Sequence, residues 1–181
     1  YWFFRLSPDY FGALHNRLHF LYDCNCASCN SQKEQLTLSI GNEFKNLLKT
    51  AEKAFKKLHK NKGYKPSDLK STKEYQNLLD ATNSIFDKAV TDNVVDGKLL
   101  ENLQNDIFYF SALKTHAQLF EASRLLLNSD GKIKPFAEFF QDVKKINEAY
   151  NRQYLEAEYQ FAVASSQMAN KWSSFTDDYN L

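Results

Sequence analysis

Five side chains able to ligate a metal stand close together near the start of the chain: His15, His19, Cys24, Cys26 and Cys29. Ser7-Pro8 reads as the N-cap and first position of a helix, because proline needs no amide donor there and its fixed φ suits the first turn. Phe11, Leu14, Leu18 and Leu21 would be the buried stripe of that helix, which is expected to end near Asp23. His15 and His19 are four residues apart, so they share a helix face and project toward the loop that carries the thiols. Cys24, Cys26 and Cys29 with His19 would supply the four tetrahedral ligands that zinc takes, with His15 as an alternative ligand or an outer neighbour. In a cytosolic product, clustered thiols point to metal more than to disulfides. The competing reading is a loop of free thiols, since Cys-x-Cys-x-x-Cys is not a standard finger spacing and a second cysteine pair is missing. His59 and His116 are isolated and read as surface or hydrogen-bonded polar residues.

Other catalytic chemistry finds little support. The sequence has no Gly-rich phosphate loop, nucleophile elbow, H-E-x-x-H or kinase-type set, and its five glycines are scattered. Glu156 and Glu158 are two apart and point to different helix faces, so they do not form a carboxylate pair; Glu158 beside Tyr159 is the carboxylate of interest. Ser165-Ser166 has no adjacent histidine to activate it and reads as small residues that let helices approach. The chain is therefore expected not to be an enzyme. Phe108-Tyr109-Phe110 could stack bases as single-strand binders do, but without adjacent Arg or Lys it reads as core.

Charge is informative through its placement. The net charge is +1, yet Lys45, Lys49, Lys53, Lys56, Lys57, Lys60, Lys62, Lys65, Lys70 and Lys73 fall in one stretch against only Glu52 and Asp68. Such a stretch suits phosphate or an acidic protein face, the alternative being a solvated helix face.

The elements that would carry these residues read as helices. Ser31 to Glu34 has the form of a capping box opening a long Lys-rich helix whose core stripe is Ile40, Phe44, Leu47, Ala51, Phe55 and Leu58. Asn61 to Pro66 is a break, and a second capping box at Ser71 to Glu74 opens a helix with Tyr75, Leu78, Leu79, Thr82, Phe86 and Ala89 on one side. Asp96-Gly97 marks a turn. Leu99 to Gln104 then reads as a short helix, Ile107 to Phe110 as an apolar crossing and Ala112 to Leu127 as another helix, before the turn at Asp130-Gly131. From Phe136 to Phe175 the spacing predicts one long helix or two collinear ones, burying Phe139, Val143, Ile146, Tyr150, Phe161 and Trp172. No period-2 alternation supports a strand. The expected fold is all-α, an elongated bundle of about five to seven helices with a long C-terminal helix. Residues 1–30 would form an N-terminal helix with the Cys/His loop, and residues 31–181 the main helical region. Fifteen Phe and ten Tyr supply the core. No apolar run approaches the roughly 20 residues that span a bilayer, and the start of the chain lacks the pattern of a secretory signal.

One family matches this pattern. Phe110 to His116 (Phe-Ser-Ala-Leu-Lys-Thr-His) precedes Gln118-Leu119, Asp130-Gly131-Lys132, Lys134-Pro135-Phe136, Tyr150-Asn151-Arg152, Glu158-Tyr159, the run Ala162 to Ala169 and Trp172. In these blocks the chain resembles the minor head proteins of tailed bacteriophages, the Mu F-like head morphogenesis family in the form found in phages and prophages of Bacteroidetes. The resemblance runs from about residue 99 to 175 and more loosely over 68–96. The family pattern continues into a segment with a Pro-Pro…Gly…Cys-x-Cys element that lies outside these 181 residues, and the lack of an initiator Met points to a piece of a longer chain. The resemblance implies a structural virion protein, made in the cytoplasm of a bacterial host, that acts in head assembly or DNA passage. Its partners would be the portal or major capsid protein and packaged DNA, with no membrane and with oligomers formed only in the virion. Lys45, Lys49, Lys53, Lys56, Lys57 and Lys60 would make the nucleic-acid or acidic-partner contact. The alternatives are a carrier for a toxin-like nuclease or transferase domain, and a zinc-stabilised DNA-binding module.

If the Cys/His cluster binds zinc, metal analysis of the freshly reduced protein should find about one equivalent, lost when any two of Cys24, Cys26 and Cys29 are replaced. Metal-free reduced protein would rule the site out.

Overall fold

The computed structural model describes residues 27–94 and 96–179, with side chains described over 43–94, 96–151 and 154–175. The chain divides into two compact units, Tyr1–Asn42 and Glu43–Leu181. The described part of the first is helical. The first predicted helix, with His15 and His19, lies outside the described residues.

The architecture is all-α. Its described elements are α1 (Ala27–Asn61), the single turn α2 (Asp68–Ser71), α3 (Lys73–Thr91), α4 (Gly97–Arg124), α5 (Phe136–Glu148), a π-helical segment (Ala149–Gln153) and α6 (Tyr154–Tyr179). The only strand-like pairing among the described residues is one bridge between Leu127 and Ile133.

The stripe of α1 is buried as expected at Leu47, Ala51, Phe55 and Leu58, with Ala54 added and Phe44 half-buried. Ile40 lies outside the described side chains. In α3 all six expected positions are buried, joined by Ile85 and Val90. Neither capping box opens its helix. The first helix already runs from Ala27, one turn before Ser31. At the second site Ser71 closes α2, and Thr72 takes the N-cap position of α3 without a side-chain hydrogen bond. Both boxes are local signals, and the helical hydrogen bonds simply continue past or begin beside them.

The break after α1 is present. Lys62 adopts a left-handed backbone at φ 59° and the Gly63 amide bonds back to the Leu58 carbonyl, closing the helix end. At the other turn Asn128 Oδ1 accepts from the amides of Asp130 and Lys132, and Gly131 takes φ 71°, where a side chain would be strained.

The largest departure is α4. The short helix, apolar crossing and second helix form one helix of 28 residues, because no Gly or Pro interrupts the span from Lys98 to Arg124. Asp96 caps it, its carboxylate accepting from the amides of Lys98 and Leu99. The C-terminal run is helical throughout, starting at Phe136, but passes through the π segment before α6. Phe139 and Val143 are fully buried, whereas Ile146 and Tyr150 are half-buried. Phe161 and Trp172, expected inside, are 74% and 50% exposed. The core side of α6 is instead taken by Leu155, Tyr159 and Ser166, which leaves Phe161 on another face.

These burials separate two phenylalanines of one composition. Phe139→Ala should cost about 3–5 kcal/mol in chemical denaturation, since a cavity adds to the lost transfer energy. Phe161→Ala should change stability by less than about 0.5 kcal/mol.

Candidate functional site

Helix α4 is inverted with respect to its composition. Ser111, Lys114, Thr115 and Gln118 are its buried residues near the middle, while Phe108, Tyr109, Phe110, Leu113 and Phe120 are exposed. The expectation that Phe108-Tyr109-Phe110 is core is thus overturned. The polar residues follow one helical face, where Lys114 and Gln118 bond to Glu158 and Asn151 of the C-terminal segment, and the aromatic ones are turned outward.

Lys114 is the centre of this seam. Its side chain is 3% exposed, and Nζ lies 2.6 Å from Glu158 Oε2 on α6, whose side chain is 30% exposed. The ammonium also sits 5.3 Å from the centre of the Tyr150 ring. Burial pulls the Lys114 pKa down, and the bond to Glu158 works against that pull. The Tyr150 hydroxyl donates to Glu121 at 2.6 Å, and burial first, then Glu121, push its pKa up to about 12. One turn away, the Asn151 amide donates to Gln118 Oε1 and Asn147 Oδ1, both at 2.9 Å, and the Asn147 amide donates to the Leu48 carbonyl of α1. Asn147 and Asn151 flank the entry to the π segment. The seam is incompletely satisfied: Ser111 Oγ, Thr115 Oγ1, Gln118 Nε2 and Asn151 Oδ1 are buried with no hydrogen-bond partner among the described residues.

Beside the seam, α4 and α6 enclose a groove of about 480 Å³ floored by Phe86 and Val90 of α3. Ile107 and Phe110 form one wall, and Phe161 and Ala162 the other. Asp106 and Glu158 are its charged lining residues, and no basic residue lines it. Ser165 and Ser166 line it too, with Ser166 Oγ donating to the Ala162 carbonyl in the manner of a helix-packing serine.

The lysine stretch is displayed as a face. Lys45, Lys49, Lys53, Lys56 and Lys60 are exposed and Lys57 is half-buried. On a helix the five exposed ones fall within an arc of about 80°, opposite the stripe of Leu47, Ala51, Phe55 and Leu58. None of the six makes an ion pair among the described residues. The sites proposed for zinc are not brought into view: His19, Cys24 and Cys26 lie outside the described residues, and Cys29 falls in the first turn of α1 without a described side chain. Among the described residues no group of three or more His, Cys, Asp or Glu could hold a metal ion. His59 and His116 are hydrogen-bonded, the first through Nε2–H to the Lys134 carbonyl and the second through Nδ1 to the Tyr64 hydroxyl, each at 2.8 Å. Burial, then Asp68, push the Tyr64 pKa up to about 12.

Comparison with protein-family models, curated proteins and solved structures finds no match to this chain.

The Lys114–Glu158 pair yields a double-mutant cycle. Glu158→Gln should cost about 2–3 kcal/mol, because it leaves a buried ammonium without its countercharge. Lys114→Met should cost much less, and adding it to Glu158→Gln should recover most of the loss in denaturant titration. Additive losses would show that the two side chains do not interact.

Proposed function

We propose that this chain is a structural, non-catalytic virion protein acting in phage head assembly or DNA passage, near the portal or the capsid interior. The observation that carries the reading is the inversion of α4. A helix that buries Lys114, Thr115 and Gln118 while exposing Tyr109, Phe110 and Leu113 is suited to an assembly, where its outer face is covered by another protein. The resemblance of residues 99–175 to the Mu F-like minor head proteins supplies the assembly. The lysine face of α1 suits packaged DNA, as a row of ammonium groups without a base-reading pattern contacts phosphate without regard to sequence. Among the described residues no helix is long and apolar enough to cross a membrane. The protein would be made in the bacterial host cytoplasm and reside in the head, and mass spectrometry of purified virions tests this directly: its absence from them would overturn the proposal.

For the lysine face, DNA retention should be independent of sequence and fall steeply with added salt, since each phosphate contact releases a counterion. Changing Lys49, Lys53, Lys56 and Lys60 together to Glu should abolish it. Absence of retention at low salt would shift the face to an acidic portal or coat surface, and retention unchanged by the four reversals would remove any binding role from it.

A further inference from the structure

The groove between α4 and α6 has an apolar floor and walls, yet its rims stand in water. Of its lining residues, Phe161 and Phe110 are 74% and 41% exposed. The two helices run antiparallel, as the contacts Asn151–Gln118, Lys114–Glu158 and Ser173–Asp96 show. On α6 the lining residues Glu158, Phe161 and Ser165 repeat at intervals of three and four, with Ala157, Ala162 and Ser166 beside them. That is the spacing with which one helix packs on another, and the lining of α6 extends over about 14 Å, or two and a half turns.

We propose that this groove receives an amphipathic helix of a partner protein, apolar on its seated face and basic where it passes Asp106. Four features favour this occupant. A strand could not dock by backbone pairing, because the backbone groups of both walls are consumed within helices. A small ligand resting on Phe86 and Val90 would leave the outer parts of Phe110 and Phe161 in water, whereas a third helix laid along two others covers both. The charge is one-sided: Glu158 is engaged by Lys114, Asp106 on the opposite wall makes no ion pair among the described residues, and no cation lines the groove. A Lys or Arg on the incoming helix would complete it, whereas a second copy would set Asp106 and Glu158 against the same carboxylates. The proposal does not depend on the head-assembly reading, since it uses only the groove.

The test uses two synthetic three-to-four-turn peptides with the same leucine stripe, one flanked by Lys and the other by Glu, titrated against the intact chain by fluorescence anisotropy. The Lys-flanked peptide should bind at least about tenfold more tightly than the Glu-flanked one. Asp106→Lys, on an exposed site, should reverse that preference. Phe161→Glu, also exposed, and Ala162→Trp, which fills the groove, should each abolish binding, with circular dichroism and melting confirming that the fold persists. Equal affinity for the two peptides, no binding of either, or binding indifferent to Phe161→Glu would overturn the proposal. Self-association in sedimentation equilibrium that disappears with Phe161→Glu would overturn it too and assign the groove to a second copy.

Discussion

A single buried ammonium sets the conditions for the helical unit of residues 43–181. Lys114 is held almost out of water, and a charge in that position is tolerated only with its countercharge in place. Glu158 is 44 residues away in sequence, so the pair fixes which turn of α6 stands against which turn of α4. The amide chain from the Leu48 carbonyl through Asn147 and Asn151 to Gln118 extends this constraint to α1 and the π segment. Apolar contacts between helices tolerate small slips along the axis. Directional bonds to a buried charge and to buried amides do not, which is the use of buried polar groups that physics supports best.

That constraint also explains the surface. If the inner face of α4 is taken by Ser111, Lys114, Thr115 and Gln118, its aromatic residues have no inner face left to occupy. They are carried outward, and Phe110 with Phe161 of α6 becomes part of the groove wall. The exposed apolar surface is thus the counterpart of the polar seam and not a separate accident of packing. An isolated monomer gives up apolar burial by this exchange and leaves several buried polar atoms without partners among the described residues. The exchange makes sense where another protein covers the rims.

Much of the fold was legible in the sequence where burial follows hydrophobicity. In α1 and α3 the apolar residues recur every three or four positions, and Leu47, Phe55, Tyr75, Leu78 and Phe86 are all buried as that spacing implies. In α4 the same logic failed. It assumes that Phe lies inside and Lys outside, while Lys114 can be inside only because a carboxylate arrives from the distant Glu158. The polar run Ser111, Thr115 and Gln118 at intervals of four and three was the signal available, a helical stripe written in polar residues. Helix ends were also misplaced, because a capping box states where a helix can begin, not where the neighbouring hydrogen bonds stop. Of the candidate sites, the lysine face could be drawn from spacing alone, but the groove could not, since its walls come from helices about 50 residues apart in sequence and its rims from residues expected inside.

The two surfaces differ in the force that would hold a partner to each. On α1 the face is ammonium groups over solvent, whose attraction weakens as ions shorten the Debye length to about 8 Å at physiological ionic strength. On α4 and α6 the attraction for the proposed helix would come mainly from apolar area, which salt does not screen and excluded ions strengthen. The groove keeps one charge dependence, through Asp106, and that affects the choice of partner more than the strength of holding. A chain built this way can meet one partner through a contact that salt adjusts and another through a contact that persists when salt rises. Under the proposed head-assembly role such a division would suit a protein fixed in an assembly while a polyanion moves past it, because the moving partner would need weak, exchangeable contacts and the stationary one a desolvated, directional seat.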